Sequence, residues 1–238
     1  MKQRLIPALA IGGLLAIVVF GVLVFQFGRR HPSPPSLEEN PHPEIPGEIL
    51  YRDRDDCIVR AAASGAKREQ VYCGGPSLAT GRPGGVTWID ADTIAFLVFS
   101  YSDKGQSSRL IEVDLDTKVE RDTGRIVNFA NEFGVQEPVS VQGERARIDD
   151  DGNLVISKGG EQKEVASFDV RQYEVRPILW SPDGDWLMLY YTPPRDYKNS
   201  ELWIIKRDGS VKGTLAKGVR QPQASWRIEG VGIVPKLE

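Results

Sequence analysis

From residue 48 onward, apolar side chains recur in short runs that alternate with polar ones and stop at turn residues, the period-two pattern of half-buried strands. The clearest stretch covers residues 176–218. An apolar run ends at Trp180, a Ser181-Pro182-Asp183-Gly184 turn follows, and strands are expected over 186–191, over 201–206 and up to Leu215. Pro182 presets φ for the first turn and Gly184 relaxes it, while Asp208-Gly209 between alternating apolar residues is a strong hairpin signal. The stretch reads as one four-stranded antiparallel unit.

The same unit recurs. Hairpin turns are expected at Gly65, Thr117, Gly159 and Gly209, spaced by roughly 40 to 50 residues, as in propeller blades. Trp88, Trp180 and Trp226 keep the same phase, the first gap being twice the second. In the second unit Ile89-Asp90-Ala91-Asp92-Thr93 replaces the Ser-Pro-Asp-Gly turn. The third is degenerate, with no Trp near residue 134 and a turn at Asp149-Asp150-Asp151-Gly152-Asn153. The first lacks its opening Trp strand, and the tail around Trp226 supplies one. The C-terminus is therefore expected to return and complete the first unit, as ring closure removes exposed edges. Four units is a small number for a closed ring, so an incomplete ring, an open curved sheet or completion by a second chain are the alternatives.

The residues Trp180-Ser181-Pro182-Asp183-Gly184-Asp185-Trp186-Leu187, with the apolar strand and Asp208-Gly209 turn behind them, resemble one blade of a TolB-like (WD-repeat-like) β-propeller. The resemblance covers most of 48–234, by phase more than by identity outside the fourth unit. It implies an all-β fold of four antiparallel four-stranded blades, in a propeller or partial propeller over residues 48–238. It also implies binding of a protein partner through a face of the ring.

Residues 6–27 carry Gln26 as their one polar member, long enough to cross a hydrocarbon layer of about 30 Å as a helix. They are expected to be an uncleaved transmembrane anchor in the lipid bilayer, leaving 1–5 as a short cytoplasmic tail. A cleaved signal peptide fits less well, because the apolar run is long and no small-residue cleavage site follows. Lys2 and Arg4 face Arg29 and Arg30 across the segment, so charge barely orients it. Ala8, Gly12 and Ala16 lie four apart, as small residues commonly do in such helices. Residues 28–47, with prolines at 32, 34, 35, 41, 43 and 46, are expected to form a semi-rigid spacer reaching about 50 Å.

Charge and composition narrow the functions. Residues 48–238 hold 26 Lys plus Arg against 30 Asp plus Glu with no dense basic run, which argues against a nucleic-acid partner. His31 and His42 both precede residue 48, so no imidazole is expected in the folded part, and no catalytic residue, cofactor site or metal site is assigned. Cys57 and Cys73 are symmetric about Gly65, which places them opposite each other across a hairpin; a disulfide is expected and suits an extracytoplasmic location. Asp149, Asp151 and Asn153 resemble the start of a calcium loop but lack its distal ligands, and read as a solvated turn. The segment from Arg52 to Asp56 reads as a charged turn, and Trp180, Trp186, Trp203 and Trp226 as packing residues. The loop over 192–200 is the longest polar excursion of the best unit, and its Arg195 and Tyr197 are the candidate partner contacts.

The expected function is thus non-catalytic protein binding or scaffolding in the cell envelope, toward an envelope or membrane protein. The alternatives are an envelope enzyme or hydrolase accessory subunit with carboxylate chemistry in the propeller channel, and a small-ligand sensor subunit.

Overall fold

A computed structural model describes residues 33–75, 77, 82–102, 105–126, 137–169, 174–193 and 196–235. The described chain is all-β, built of antiparallel sheets that resemble propeller blades. Blade I contains β1 (Glu48–Asp53), β2 (Ile58–Ala62) and β3 (Arg68–Tyr72). Blade II contains β4 (Arg82–Trp88), β5 (Thr93–Ser102), β6 (Gly105–Asp114) and β7 (Glu120–Ile126). Blade III contains β8 (Arg145–Ile148), β9 (Asn153–Lys158) and β10 (Glu161–Ser167). Blade IV contains β11 (Glu174–Trp180), β12 (Trp186–Thr192), β13 (Glu201–Lys206) and β14 (Lys212–Lys217). The chain then returns as β15 (Val219–Ile228) and β16 (Gly232–Val234).

The return does what the Trp226 phase predicts. β15 pairs with β1, Glu48 facing Arg227 and Leu50 facing Ser225, so the first sheet has the order β16-β15-β1-β2-β3. Blades II and IV are plain four-stranded meanders, with hairpin turns where Thr117 and Gly209 place them. Blade III differs in a way the sequence reading missed. Among the described residues its inner strand shows as one bridge between Val139 and Arg145, and a turn at 140–143 precedes the expected one at 149–153. Ser140 and Gly143 stand where Ser181 and Gly184 stand in blade IV. Ser140 N donates to Glu144 O at 2.8 Å as Ser181 N donates to Trp186 O at 2.8 Å. Gly143 and Gly184 both hold positive φ, 80° and 77°, a region that disfavours any Cβ.

Among the described residues three apolar cores lie between blades, and a fourth, smaller one of Ala95, Leu97 and Leu110 lies on blade II. Tyr51, Trp186, Ile204 and Trp226 belong to the core between blades I and IV. Leu50, Trp88, Phe96 and Ile111 fill the one between I and II. Leu154, Trp180, Leu187 and Trp203 fill the one between III and IV. All five tryptophans are buried, which is why β12 and β13, covered on both faces, read as nearly continuous apolar runs. Residues 127–136, which connect blade II to blade III, lie outside the described residues.

The proline-rich stretch needs correction. Residues 33–47 do not form a free spacer: they lie along blades IV and I as a strap. Thr214 N donates to Pro35 O and Leu37 N to Thr214 O, both at 2.9 Å, and His42 N donates to Ser64 O at 2.9 Å. Trp226 Nε1 donates to Pro46 O at 2.9 Å. Leu37 and Ile45 are buried in the I/IV core. Prolines lack N–H but keep their carbonyls, so an extended proline run can line the edge strand β14 and cover it. The folded body accordingly includes residues 33–47, and His42 belongs to it, half-buried beside Glu44. The expected spanning segment 6–27 lies outside the described residues; among the described residues no helix is long and apolar enough to cross a membrane.

Candidate functional site

The end of blade I where β1 meets β2 is a braced, half-buried charge cluster. Ile58 faces Tyr72 at the end of the β2–β3 pair, so the next residues outward, Cys57 and Cys73, meet in a disulfide with their Cα atoms 4.5 Å apart. Asp53 is buried. Its Oδ1 accepts from the N–H groups of Asp55 and Cys57, both at 3.0 Å, and its Oδ2 from Gln70 Nε2 at 2.9 Å. Arg52 is buried as well and pairs with Asp56, which Arg220 also approaches at 3.7 Å. Burial pulls the Arg52 pKa down and the Asp56 carboxylate opposes that pull. The expected charged turn is therefore one whose first two side chains are interior, because Asp53 caps the turn that carries the disulfide.

A cleft of about 350 Å³ opens beside it, lined by Asp53, Arg54, Arg68, Gln70, Asn199 and Lys217 among others. Of the described residues of the loop over 192–200, Asn199 lines this cleft. Tyr197 starts a short 3₁₀ turn, Tyr197–Asn199, and Arg195 lies outside the described residues. Nothing in the sequence marked Asn199, Gln70 or Lys217, since polar residues are ordinary in loops and on outer strands. The lining offers donors and acceptors for a small polar group, but no thiol, hydroxyl or imidazole.

The opposite end of the body is built from the inner turns of all four blades. Asp90 Oδ1 accepts from Asp92 N at 2.9 Å and Thr93 N at 2.8 Å in blade II. Ser140 Oγ accepts from Gln142 N at 3.2 Å and Glu144 N at 3.1 Å in blade III. Ser181 Oγ accepts from Trp186 N at 3.0 Å in blade IV. These short side chains satisfy backbone donors that the reversal leaves unpaired, which is why Asp and Ser recur there. Contacts knit the turns into one face. Gln142 Nε2 donates to Asp183 O at 2.8 Å, and a Cβ placed on Gly232 would lie 4.0 Å from Pro182 Cβ. Arg227 stacks 3.8 Å from the Trp88 ring centre and donates to Asp90 O at 3.0 Å, Ala91 O at 2.9 Å and Glu48 Oε2 at 2.5 Å.

Between the β15–β16 hairpin and the blade II turn lies a pocket of about 920 Å³, whose walls include Glu48, Asp90, Ala91, Arg227, Ile228, Glu229, Val231 and Ile233. Ile89, Val139, Val141 and Val231, at or beside these turns, are 38%, 52%, 68% and 57% exposed. This face carries no mark in the sequence, because each turn reads as local chemistry and only the fold brings the four together.

Asp149 Oδ1 accepts from Asp151 N at 3.1 Å and Asn153 N at 2.8 Å. The latter bond, above all, holds the carboxyl below its ordinary range. Asp149 thus caps a turn. Among the described residues no cluster of His, Cys, Asp or Glu has the makings of a metal site.

No family model matches the chain, and no curated protein matches it. Among solved structures it is similar to a prolyl endopeptidase, one of two analysed for inter-domain dynamics in catalysis and specificity. The TM-score there is 0.27 and the identity 11%, over 74% of this chain and 30% of that one. It is also similar to the β-propeller domain of the Trilobed protease from Pyrococcus furiosus, described as having an open velcro topology. The TM-score is 0.24 and the identity 9%, over 66% of this chain and 52% of that one. The chain thus spans less than two thirds of either of these structures.

Proposed function

We propose that this chain is a TolB-like propeller module, tethered outside the cytoplasmic membrane by the helix expected over 6–27, that binds a protein partner and catalyses no reaction. The observation that carries the reading is β16. It lies on the inner edge of the first sheet, beyond β15, where a propeller would open its channel. Its Ile233 and Val234 pack against the I/II and I/IV cores, and Pro235 O accepts from Thr87 Oγ1 at 2.9 Å. Carboxylate chemistry in a channel needs acids free to converge on open space; of the acids beside β16, Glu48 pairs with Arg227 and Asp90 accepts from its own turn, while β16 turns its apolar side chains into the cores. The Cys57–Cys73 disulfide supports an oxidising compartment. Cross-linking the full chain in intact membranes, followed by identification of the attached protein, tests the reading. A discrete partner is expected, whereas hydrolytic activity of the purified chain with no partner captured would refute it.

A further inference from the structure

We infer that the face formed by the inner turns docks an extended, basic and apolar segment of the partner protein, laid along the free edge of β16. The inference rests on the partner-binding reading above and gives it a place and a chemistry.

Four observations converge on that face. Of the six large hydrophobic side chains exposed among the described residues, four, Ile89, Val139, Val141 and Val231, stand at or beside its turns, so the face is richer in exposed aliphatic surface than the rest of the body. The pocket beside Val231, about 920 Å³ with Ile228 and Ile233 in its wall, is large enough to seat apolar side chains. Among the described residues β16 is the terminal strand of its sheet, so one side of its backbone offers a strand edge there, the template that an incoming extended segment completes.

The fourth observation is charge, which selects the occupant. The pocket wall holds Glu48, Asp90 and Glu229 against Arg227, and Arg227 already serves Glu48 and two carbonyls. The face is left negative, so Lys and Arg flanking the apolar anchors complement it and an acidic segment or an anionic lipid surface is repelled. The strap starts away from the face and meets it only at Gly47, which forms part of the pocket wall. Ser33 Oγ donates to Glu201 Oε1 at 3.0 Å, and Glu201 begins β13 at the end of blade IV away from the turn face.

The test uses the full chain in zwitterionic nanodiscs, with empty nanodiscs as blank. The probe is a fluorescein-labelled peptide of alternating Leu and Lys, and its counterpart has Glu for Lys. Fluorescence anisotropy should show the Lys peptide binding and the Glu peptide not binding. Glu229→Lys with Val231→Lys, both at the exposed hairpin tip, should weaken the Lys peptide by about tenfold or more without moving the thermal midpoint. Lys198→Glu, at the opposite end, should leave it unchanged. Equal binding of both peptides, or binding indifferent to the tip substitutions, overturns the inference. A photo-cross-linking residue placed at 231 or at 198 in intact membranes separates the two levels. An adduct from 231 supports the inference. An adduct from 198 alone overturns it and leaves partner binding standing, and adducts from neither position overturn both.

Discussion

Leu37→Ala should destabilise the folded body by about 3 kcal/mol. Leu37 is 1% exposed, and truncation to Ala removes three carbon groups at about 0.8 kcal/mol each before the cavity left behind is counted. The strap cannot sink into that cavity, because Leu37 N is bonded to Thr214 O and Thr214 N to Pro35 O. In a solvated spacer the same substitution would stay within about 0.5 kcal/mol. Urea unfolding of the full chain in detergent, followed by tryptophan fluorescence, reads the difference. With a slope of about 2 kcal/mol per molar, the midpoint should fall by roughly 1.5 M. Gly213→Ala supplies the second arm of the test. A Cβ there would lie 2.5 Å from Leu37 Cδ2 and 2.7 Å from its Cγ, with Pro35 O at 3.3 Å. Alone it should cost about 1–3 kcal/mol by overpacking; in the Leu37→Ala background the two nearest obstacles are gone and most of the cost should vanish. A Leu37→Ala effect under about 0.5 kcal/mol, or costs that simply add, would refute the packed strap.

Native, non-reduced protein should contain no alkylatable thiol, and reduction followed by alkylation should cost about 3 kcal/mol for a 16-residue separation; an unchanged unfolding midpoint would deny the bridge a stabilising role. Ser140→Ala and Ser181→Ala should each cost about 1 kcal/mol in the same urea assay, through loss of the acceptors for Glu144 N and Trp186 N, and neutrality of both would refute the shared turn design. Asp114, Asp149 and Asp208 are each held below the ordinary 3.8, chiefly by hydrogen bonds with Thr117, Asn153 and Ser210. A carboxyl lowered in the folded state contributes stability that is fully present above the unfolded value and lost as pH falls through the folded one. Urea midpoints should therefore be level at pH 5–7 and decline below about pH 4, and triple substitution with Asn should flatten that decline; an equally steep decline in the triple variant would place the acid-sensitive groups elsewhere.

How far the fold was legible depended on whether a signal was local. Asp208-Gly209 and the Trp180 motif state their own geometry, and strand β13 fell on residues 201–206 as read. Cys57 and Cys73 were legible because symmetry about a turn is a local property. Trp226 was legible through phase alone. The blade III turn was missed because Ser140-Val141-Gln142-Gly143 has neither Trp nor Pro, and a run of aspartates nearby offered a louder turn. The strap carried no signal because composition averages: six prolines hid Leu37 and Ile45, whose burial depends on a groove shared by blade I and by blade IV residues well over a hundred positions away. The cleft beside Asn199 and the face around Val231 were invisible for the same reason, being assembled from turns and loops that are each unremarkable alone.

The pairing of β1 with β15 also sets an order of events. Within the described body β1 is the first strand in chain order and β15 the last but one, so β1 waits for its inner neighbour until almost the whole of that body has been synthesised. Blades II and IV close by local hairpins and need no such wait. The first blade therefore stays incomplete during synthesis, with Ile49, Leu50 and Tyr51, buried in the finished body, uncovered until β15 arrives. Non-local pairing of this kind is slow and leaves apolar surface open to aggregation in the meantime.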